Sequence, residues 1–313
     1  MTPMFFGTSG RALFGVYHPP IGERERELGV VLCYPFGHEY MRAHRAFRQL
    51  AMLLAREGYP VLRFDYSGTG DSAGEAEEAT IAQWCDDVST AIEELEDTAG
   101  VERVALVGLR LGAAVSVLAA ASRGDVERIV LWDPVVDGEA YLRELLEARC
   151  EWDTGGPGSS VAVGPGQPPT VHGFVLGDAM VADLRRLSLL EAQRPACDGL
   201  RIVVARPRGD YDALAAHLST PDAPLRVECE PAPDNWGEVD HFGSVLVPQQ
   251  SQRLPQHARR HRLPHLIPQL RCRLPQQRRR LRRQPFHQQR QQRSNPDPPL
   301  AKLPLTCSTS LDG

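Results

Sequence analysis

The stretch "LVGLRLGAA", residues 106–114, joins a continuous apolar run to a segment rich in alanine. The valine-rich run before the junction is typical of a buried strand, and the alanine-rich segment after it predicts a helix. Gly108 and Gly112 flank the junction, where the lack of a Cβ lets a strand-to-helix turn pack closely. Arg110 stands at the centre of this turn, where the G-x-S-x-G pattern of a nucleophile turn has serine.

Strands and helices alternate on both sides of this turn. Strands are predicted at 29–35, 60–66, 103–108, 128–134, 200–206 and 225–231, and helices at 42–57, 79–97 and 111–122. Such alternation predicts an α/β protein, in which a mostly parallel sheet is covered by helices on both faces. Apolar runs on both sides of "GTSG", near the N-terminus, add an antiparallel hairpin at one edge of the sheet.

Residues 138–195 interrupt the alternation. They contain two predicted helices, 139–149 and 179–191, around the glycine- and proline-rich segment "DTGGPGSSVAVGPGQPP". A long insertion between two strands is typical of a functional loop or lid. We therefore predict a cap at about 138–195.

The composition changes abruptly at Pro248, and the overall net charge of −5 hides this change. From there to the end the chain has 14 Lys and Arg, two Asp and Glu, and 12 Gln. Its apolar residues show no regular period, so it is predicted to be disordered. Two interpretations stay open, a basic arm for a polyanion or an unselected, out-of-frame sequence. Residues 1–247 are predicted to form the folded domain, and 248–313 a separate tail.

Several classes of protein are disfavoured by the sequence. Its seven cysteines include no C-x-x-C pair, which argues against a disulfide framework or a zinc site and indicates a cytoplasmic protein. No secretory signal and no apolar run of membrane-spanning length are evident. The basic charge of the tail is not taken as evidence for a function, so we expect neither nucleic acid nor a membrane as a partner. We also expect no metal and no cofactor.

Polar residues follow the predicted strands at one edge of the sheet. In an open α/β sheet, ligands bind beyond the carboxyl ends of the strands. In chain order, the residues at these ends are His38, Glu39, Asp65, Ser67, Arg110, Asp133, Asp210 and His241. They are the candidates for a functional site.

Three of these strand-end segments resemble a known family. "PFGHEYMR", "FDYSGTGDSAG" and "GLRLGA", with the late His241, resemble the α/β-hydrolase superfamily. The similar branch is the serine aminopeptidase-like group that includes the exosortase-associated hydrolases. The resemblance covers about residues 1–247. It implies an α/β-hydrolase fold with its cap between strands six and seven of the family, and an acyl, ester or thioester substrate.

A hydrolase of this shape needs a nucleophile, an acid and a histidine, in that order along the chain. Asp210 is predicted as the acid and His241 as the histidine, with Asp133 as the alternative acid. Asp210 fits a helix-capping aspartate equally well. His241 also fits a loop residue with no role, and Asp133 a structural residue at a strand end.

The nucleophile is missing, because a guanidinium has no lone pair with which to attack. In one interpretation, Arg110 clamps an anion or oxyanion while His241 and Asp210 activate water, and the protein remains a hydrolase. In a second, another nucleophile takes over, with Ser67, Ser72 and Cys33 as the candidates. In a third, the protein is a pseudoenzyme that binds an acyl ligand or a carrier protein. The first is the leading interpretation.

The region after the first buried strand has "PFGHE". Backbone N–H groups of Phe36 and Leu111 are predicted to form an oxyanion-binding pair. His38 and Glu39 are predicted to line the pocket, although Glu39 could equally pair with an arginine at the start of the following helix.

Overall fold

The computed structural model describes residues 1–22, 25–153 and 170–230 of the 313-residue chain. All of these residues fall within the first of two compact units, Met1–Arg271. The strands are β1 Thr2–Thr8, β2 Arg11–His18, β3 Leu28–Cys33, β4 Val61–Phe64, β5 Arg103–Leu109, β6 Arg128–Trp132, β7 Thr170–Val171, β8 Phe174–Val175, β9 Gly199–Val204 and β10 Val227–Cys229. The α-helices are α1 Gly37–Arg56, α2 Ile81–Ala99, α3 Leu111–Arg123, α4 Gly138–Asp153, α5 Asp178–Arg186 and α6 Gly209–Leu218, and a short 3-10 helix spans Ala76–Glu78.

Eight strands form one sheet in the order β1-β2-β4-β3-β5-β6-β9-β10. β1 pairs with β2, and β2 with β4, in antiparallel fashion, whereas every pair from β4 to β10 is parallel. All of β3, and all of β5 after its first residue, is buried. This burial explains why both strands read as continuous apolar runs in the sequence. The predicted hairpin and mostly parallel sheet are confirmed.

Helix α2 shows how the sequence specifies its helices. The side chains that recur at helical spacing, such as Trp84, Val88 and Leu95, are fully buried against the sheet. Thr80 caps the start by accepting a hydrogen bond from the Gln83 N–H at 3.0 Å. Gly100 ends the helix in the left-handed conformation, with φ 64°.

Helix α1 begins earlier than the sequence predicts. It starts at Gly37 rather than at residue 42, because Gly37 adopts a positive φ of 59° that turns the chain out of β3 into the helix. The extra turn carries Glu39 into the protein interior, where it is 2% exposed. The predicted core side chain Phe47 is fully buried on the same helix.

The predicted cap corresponds to α4, the β7–β8 hairpin and α5, which lie between β6 and β9. Gly138 packs so tightly on α5 that a Cβ would overlap the carbonyl oxygen of Leu184. Asp183 of α5 accepts a hydrogen bond from the Ile81 N–H at 2.9 Å, which attaches the cap to the start of α2. α5 ends at Arg186 instead of the predicted 191.

Some predictions fall on other parts of the chain. The glycine-rich loop at 154–169, His241, the boundary at 247 and the basic tail all lie outside the described residues. Within the described ranges, no helix combines the length and the hydropathy needed to cross a membrane.

Candidate active site

Arg110 occupies the turn between β5 and α3, with φ 53° and ψ −119°. A positive φ costs a residue with a side chain about 1–2 kcal/mol, so the turn must be held by its surroundings. The Arg110 N–H donates to the Trp132 carbonyl at 3.0 Å. Its carbonyl accepts from the N–H groups of Val135 at 3.2 Å and Ala113 at 3.1 Å. The strained strand-to-helix turn that the sequence predicts is therefore present, and the end of β6 stabilises it.

Gly108 and Gly112 are required by close backbone approach. A Cβ on Gly108 would overlap the Gly112 carbonyl oxygen in the first turn of α3. A Cβ on Gly112 would overlap the carbonyl oxygens of Cys33 and Tyr34 at the end of β3. The two glycines thus allow β5, α3 and the end of β3 to lie in direct contact.

The Arg110 side chain is buried, with 5% of its surface exposed. Its Nε donates to Glu39 Oε1 at 2.8 Å. Its Nη2 lies 2.8 and 2.9 Å from the two carboxylate oxygens of Glu144. Glu39 belongs to α1 and Glu144 to α4. Arg110 therefore connects the turn both to helix α1 and to the cap.

Tyr141 of α4 completes this group. Its hydroxyl donates to Glu39 Oε2 at 2.8 Å. Its ring lies 5.2 Å from the Arg110 guanidinium carbon, a favourable cation–π distance. Arg110, Glu39, Glu144 and Tyr141 are termed the elbow cluster below.

In the elbow cluster, the pKa shifts keep Arg110 charged and Tyr141 neutral, while burial raises the pKa of Glu39. Burial acts to lower the pKa of Arg110, but the carboxylates of Glu39 and Glu144 outweigh it and hold that pKa well above its ordinary value. Burial and the charge of Glu39 raise the pKa of Tyr141 well above its ordinary value, so the phenol keeps its proton. Arg110 is thus a permanent cation without a nucleophilic lone pair.

These contacts bear on two predictions. Glu39 pairs with Arg110 of the turn and with Tyr141 of α4, a pairing that the sequence did not predict. Two of the three guanidinium nitrogens of Arg110 already hold carboxylates of the protein. An anionic ligand that binds at Nε or Nη2 of Arg110 would therefore have to displace a carboxylate of the protein.

The two candidate acids differ in their surroundings. Asp133 follows β6 directly, is 4% exposed, and accepts a hydrogen bond from the Ala205 N–H at 2.7 Å, which joins the ends of β6 and β9. Asp210 is exposed in the first turn of α6, where it accepts from the N–H of the adjacent Tyr211 at 3.1 Å. Because His241 lies outside the described residues, its distance to either carboxylate stays a prediction.

The candidate oxyanion residues lie at two helix starts. Phe36 precedes the first residue of α1, and Leu111 is the first residue of α3, where the backbone N–H has no partner within its helix. The contact of Gly112 with the end of β3 brings these two segments together. His38 lies in the first turn of α1, with its ring 5.3 Å from that of His172 in the β7–β8 turn.

A cavity of about 260 Å³ opens beside the Phe36 segment. It lies between the end of β3, the start of α1, the loop after β4 and the β7–β8 hairpin. Its walls are mostly apolar and aromatic; they include Tyr34, Pro35, Phe36, Met41, Tyr66, Phe174 and Val175. Its polar wall is formed by Tyr40, whose hydroxyl donates to Asp65 Oδ1 at 2.8 Å.

A buried polar cluster next to this cavity was missed by sequence reasoning. Arg63 of β4 donates from Nε to His18 Nε2 at 3.1 Å and from Nη1 to the Tyr34 hydroxyl at 2.9 Å. Burial, reinforced by the charge of Arg63, lowers the pKa of His18 to about 4, so His18 accepts this bond as a neutral ring. Since Tyr34 lines the cavity, Arg63 helps to fix the cavity wall. Alternation of apolar and polar residues cannot reveal such a cluster, because Arg63 lies within an otherwise apolar strand.

The other candidate nucleophiles make structural contacts. Ser67 Oγ donates to Asp87 Oδ1 at 3.0 Å, and the Ser67 N–H donates to Oδ2 at 2.8 Å. Ser72 Oγ donates to the Asp65 carbonyl at 2.6 Å. Burial raises the pKa of Cys33 to about 11, which disfavours the thiolate. These contacts favour structural roles for all three. Among the described residues, no group of His, Cys, Asp and Glu is arranged to hold a metal ion.

Comparison with known proteins shows which family this part of the chain resembles. Residues 30–155 match the model of the Hydrolase_4 family, described as serine aminopeptidase, S33. The human and Pongo abelii proteins named palmitoyl-protein thioesterase ABHD10, mitochondrial, are each 41% identical to this chain over 66 residues. That alignment spans 21% of this chain and 20% of each relative.

Solved structures share the fold at low sequence identity. Est1E from Butyrivibrio proteoclasticus, with ferulic acid bound, has a TM-score of 0.53 at 17% identity, covering 72% of this chain and 88% of its own. The Pyrococcus furiosus esterase has a TM-score of 0.51 at 18% identity, covering 73% and 81%. Residues 30–155 are therefore similar to the serine aminopeptidase S33 family, and the described residues have the α/β-hydrolase fold.

Proposed function

We propose that this protein binds the acyl group of an ester or thioester beside the strand-to-helix turn, without forming a covalent acyl-enzyme. The observation that carries the proposal is the pairing of Arg110 with Glu39 and Glu144 at the nucleophile position. A guanidinium held in this way can neither attack a carbonyl nor pass a proton to a histidine. The turn keeps its architecture but has lost the group that would carry the acyl intermediate.

The cavity supports an acyl ligand. Aromatic and aliphatic walls bind a hydrocarbon by removing its surface from water. Its volume of about 260 Å³ lies near the lower limit of ordinary ligand pockets, which is about 300 Å³, and this favours a short acyl chain. Because Phe36 lines the cavity and also supplies a candidate oxyanion N–H, a carbonyl at the cavity mouth would lie near the turn. The thioesterase name of the partly aligned relatives is consistent with an acyl thioester ligand.

A second candidate function is hydrolysis by direct attack of water. In this case His241 would act as the base, oriented by Asp133 or Asp210, and Arg110 would stabilise the oxyanion. The observation in its favour is Asp133, a buried carboxylate at the strand end next to the turn. General-base catalysis of this kind needs no nucleophilic side chain.

Filling the cavity tests the acyl site. Ala76 of the 3-10 helix lines the cavity. Ala76→Trp is expected to weaken binding of methyl hexanoate by about tenfold or more, because the indole would occupy the space of the ligand. Ligand-observed NMR titration measures the affinity. Ala82→Trp is the matched control, because Ala82 is exposed on α2 and does not line the cavity. Equal affinities for the two variants would contradict the proposed location.

Turnover separates the two candidates. The binding proposal predicts that hydrolysis of hexanoyl-coenzyme A and p-nitrophenyl hexanoate stays at the buffer rate with the native chain. Hydrolysis that exceeds this rate and disappears in His241→Ala would contradict the binding proposal, and the absence of a covalent acyl adduct would then support the water-attack mechanism.

A further inference from the structure

The two carboxylates that hold Arg110 are not equivalent. Glu39 is 2% exposed, and each of its oxygens has a partner, Arg110 Nε or the Tyr141 hydroxyl. Glu144 is 48% exposed, and both of its oxygens contact a single nitrogen, Arg110 Nη2. One counter-ion is therefore built into the core, and the other lies at the surface of the cap.

This difference decides which carboxylate can leave. Release of Glu39 would leave an uncompensated charge in the protein interior, which is strongly destabilising. Release of Glu144 turns a half-exposed side chain into water, but it leaves the 5% exposed guanidinium of Arg110 short of a counter-charge unless another anion takes its place. Nη2 of Arg110 is therefore the exchangeable position of the elbow cluster.

We propose that Glu144 occupies the place of an anionic group of the ligand, so that a carboxylate or phosphate on an acyl ligand displaces it from Nη2 of Arg110. The proposal rests on the acyl site described above. Glu144 then determines specificity: the site prefers ligands that carry an acyl chain together with an oxyanion group.

The exchange keeps the charge of Arg110 neutralised. A carboxylate or phosphate presents two oxygens to the guanidinium as Glu144 does, and it preserves the neutralisation of the buried cation. A neutral ester would leave Arg110 Nη2 without its second counter-charge and so cannot replace Glu144. The exchange forms no covalent bond, and the cap residue is released to solvent.

Glu144→Gln tests the exchange with three probes that share a six-carbon chain: hexanoate, hexyl phosphate and methyl hexanoate. Removal of the internal competitor is expected to raise the affinity for an anionic probe on the order of fivefold, while the affinity for methyl hexanoate stays unchanged. NMR titration at fixed ionic strength gives the three dissociation constants. The larger gain, with hexanoate or with hexyl phosphate, identifies the type of anion that the site prefers.

Glu147→Gln is the control, because Glu147 is exposed on the same helix and its replacement removes the same charge. Glu144→Asp keeps the competing charge and is expected to show a smaller gain than Glu144→Gln. An equal gain in Glu147→Gln, a gain shared by methyl hexanoate, or no gain at all would overturn the exchange while leaving the acyl site intact. Failure of every probe to bind any variant would contradict both proposals.

Discussion

Glu39→Ala is expected to lower the free energy of unfolding by about 3 kcal/mol, measured by urea denaturation. Glu39 is 2% exposed and is the only fully buried carboxylate in the elbow cluster. Its removal leaves a buried guanidinium whose one remaining carboxylate partner among the described residues is the half-exposed Glu144. It also leaves the buried Tyr141 hydroxyl without its acceptor. The loss should therefore be much larger than that of an ordinary ion pair.

Two controls separate this effect from a general loss of charge. Glu93→Ala removes a 66% exposed carboxylate that pairs with Arg123 at 3.1 Å, while Asp125 still pairs with Arg123, and it is expected to cost less than about 1 kcal/mol. The double variant Glu39→Leu/Arg110→Met removes both buried charges, and its unfolding free energy should lie closer to that of the native chain than does that of Glu39→Leu alone. If the losses of unfolding free energy in Glu39→Leu and in Arg110→Met simply add up in the double variant, the two side chains do not stabilise each other.

Gly112→Ala is expected to destabilise the fold by on the order of 4 kcal/mol, the upper range for a single substitution. The added methyl group would overlap two backbone carbonyl oxygens, those of Cys33 and Tyr34. Backbone at the end of a central strand cannot move aside as a flexible side chain can. To accommodate the methyl, α3 would have to shift away from β3, which would also disturb the Arg110 turn.

Gly209→Ala is the matched control, because a Cβ at Gly209 would meet nothing within 4 Å. It is expected to leave the midpoint of thermal unfolding unchanged or slightly raised, since alanine favours a helix more than glycine does. A Gly112→Ala protein with native stability would show that the close approach of β3 and α3 is not as described.

The sheet and the turn could be predicted from the sequence because their signals are local. A buried parallel strand requires continuous apolar residues, and "RVALVG" provides them directly before the turn. The role of Gly108 and Gly112 in the turn could be inferred because only glycine permits such close backbone contact. The interruption between β6 and β9 breaks a regular alternation, so the sequence predicts an insertion there, and α4, the β7–β8 hairpin and α5 occupy it.

The elbow cluster could not be predicted because it depends on contacts across the chain. Glu144 lies 34 residues after Arg110, and Glu39 lies 71 residues before it. On α4 nothing local distinguishes Glu144 from the other glutamates, because the choice depends on how the cap packs over the turn. The early start of α1 was equally hidden, since it depends on the positive φ of Gly37 rather than on apolar periodicity.

The most direct test of the central claim, that the turn holds a fixed cation where a nucleophile would stand, is intact-mass spectrometry after incubation with a fluorophosphonate probe. The elbow cluster predicts an unchanged mass for the native chain, because Arg110 cannot attack the probe and Ser67 and Ser72 are engaged in structural hydrogen bonds. A stoichiometric phosphonate adduct on the native chain would contradict the claim and show that another nucleophile forms a covalent intermediate.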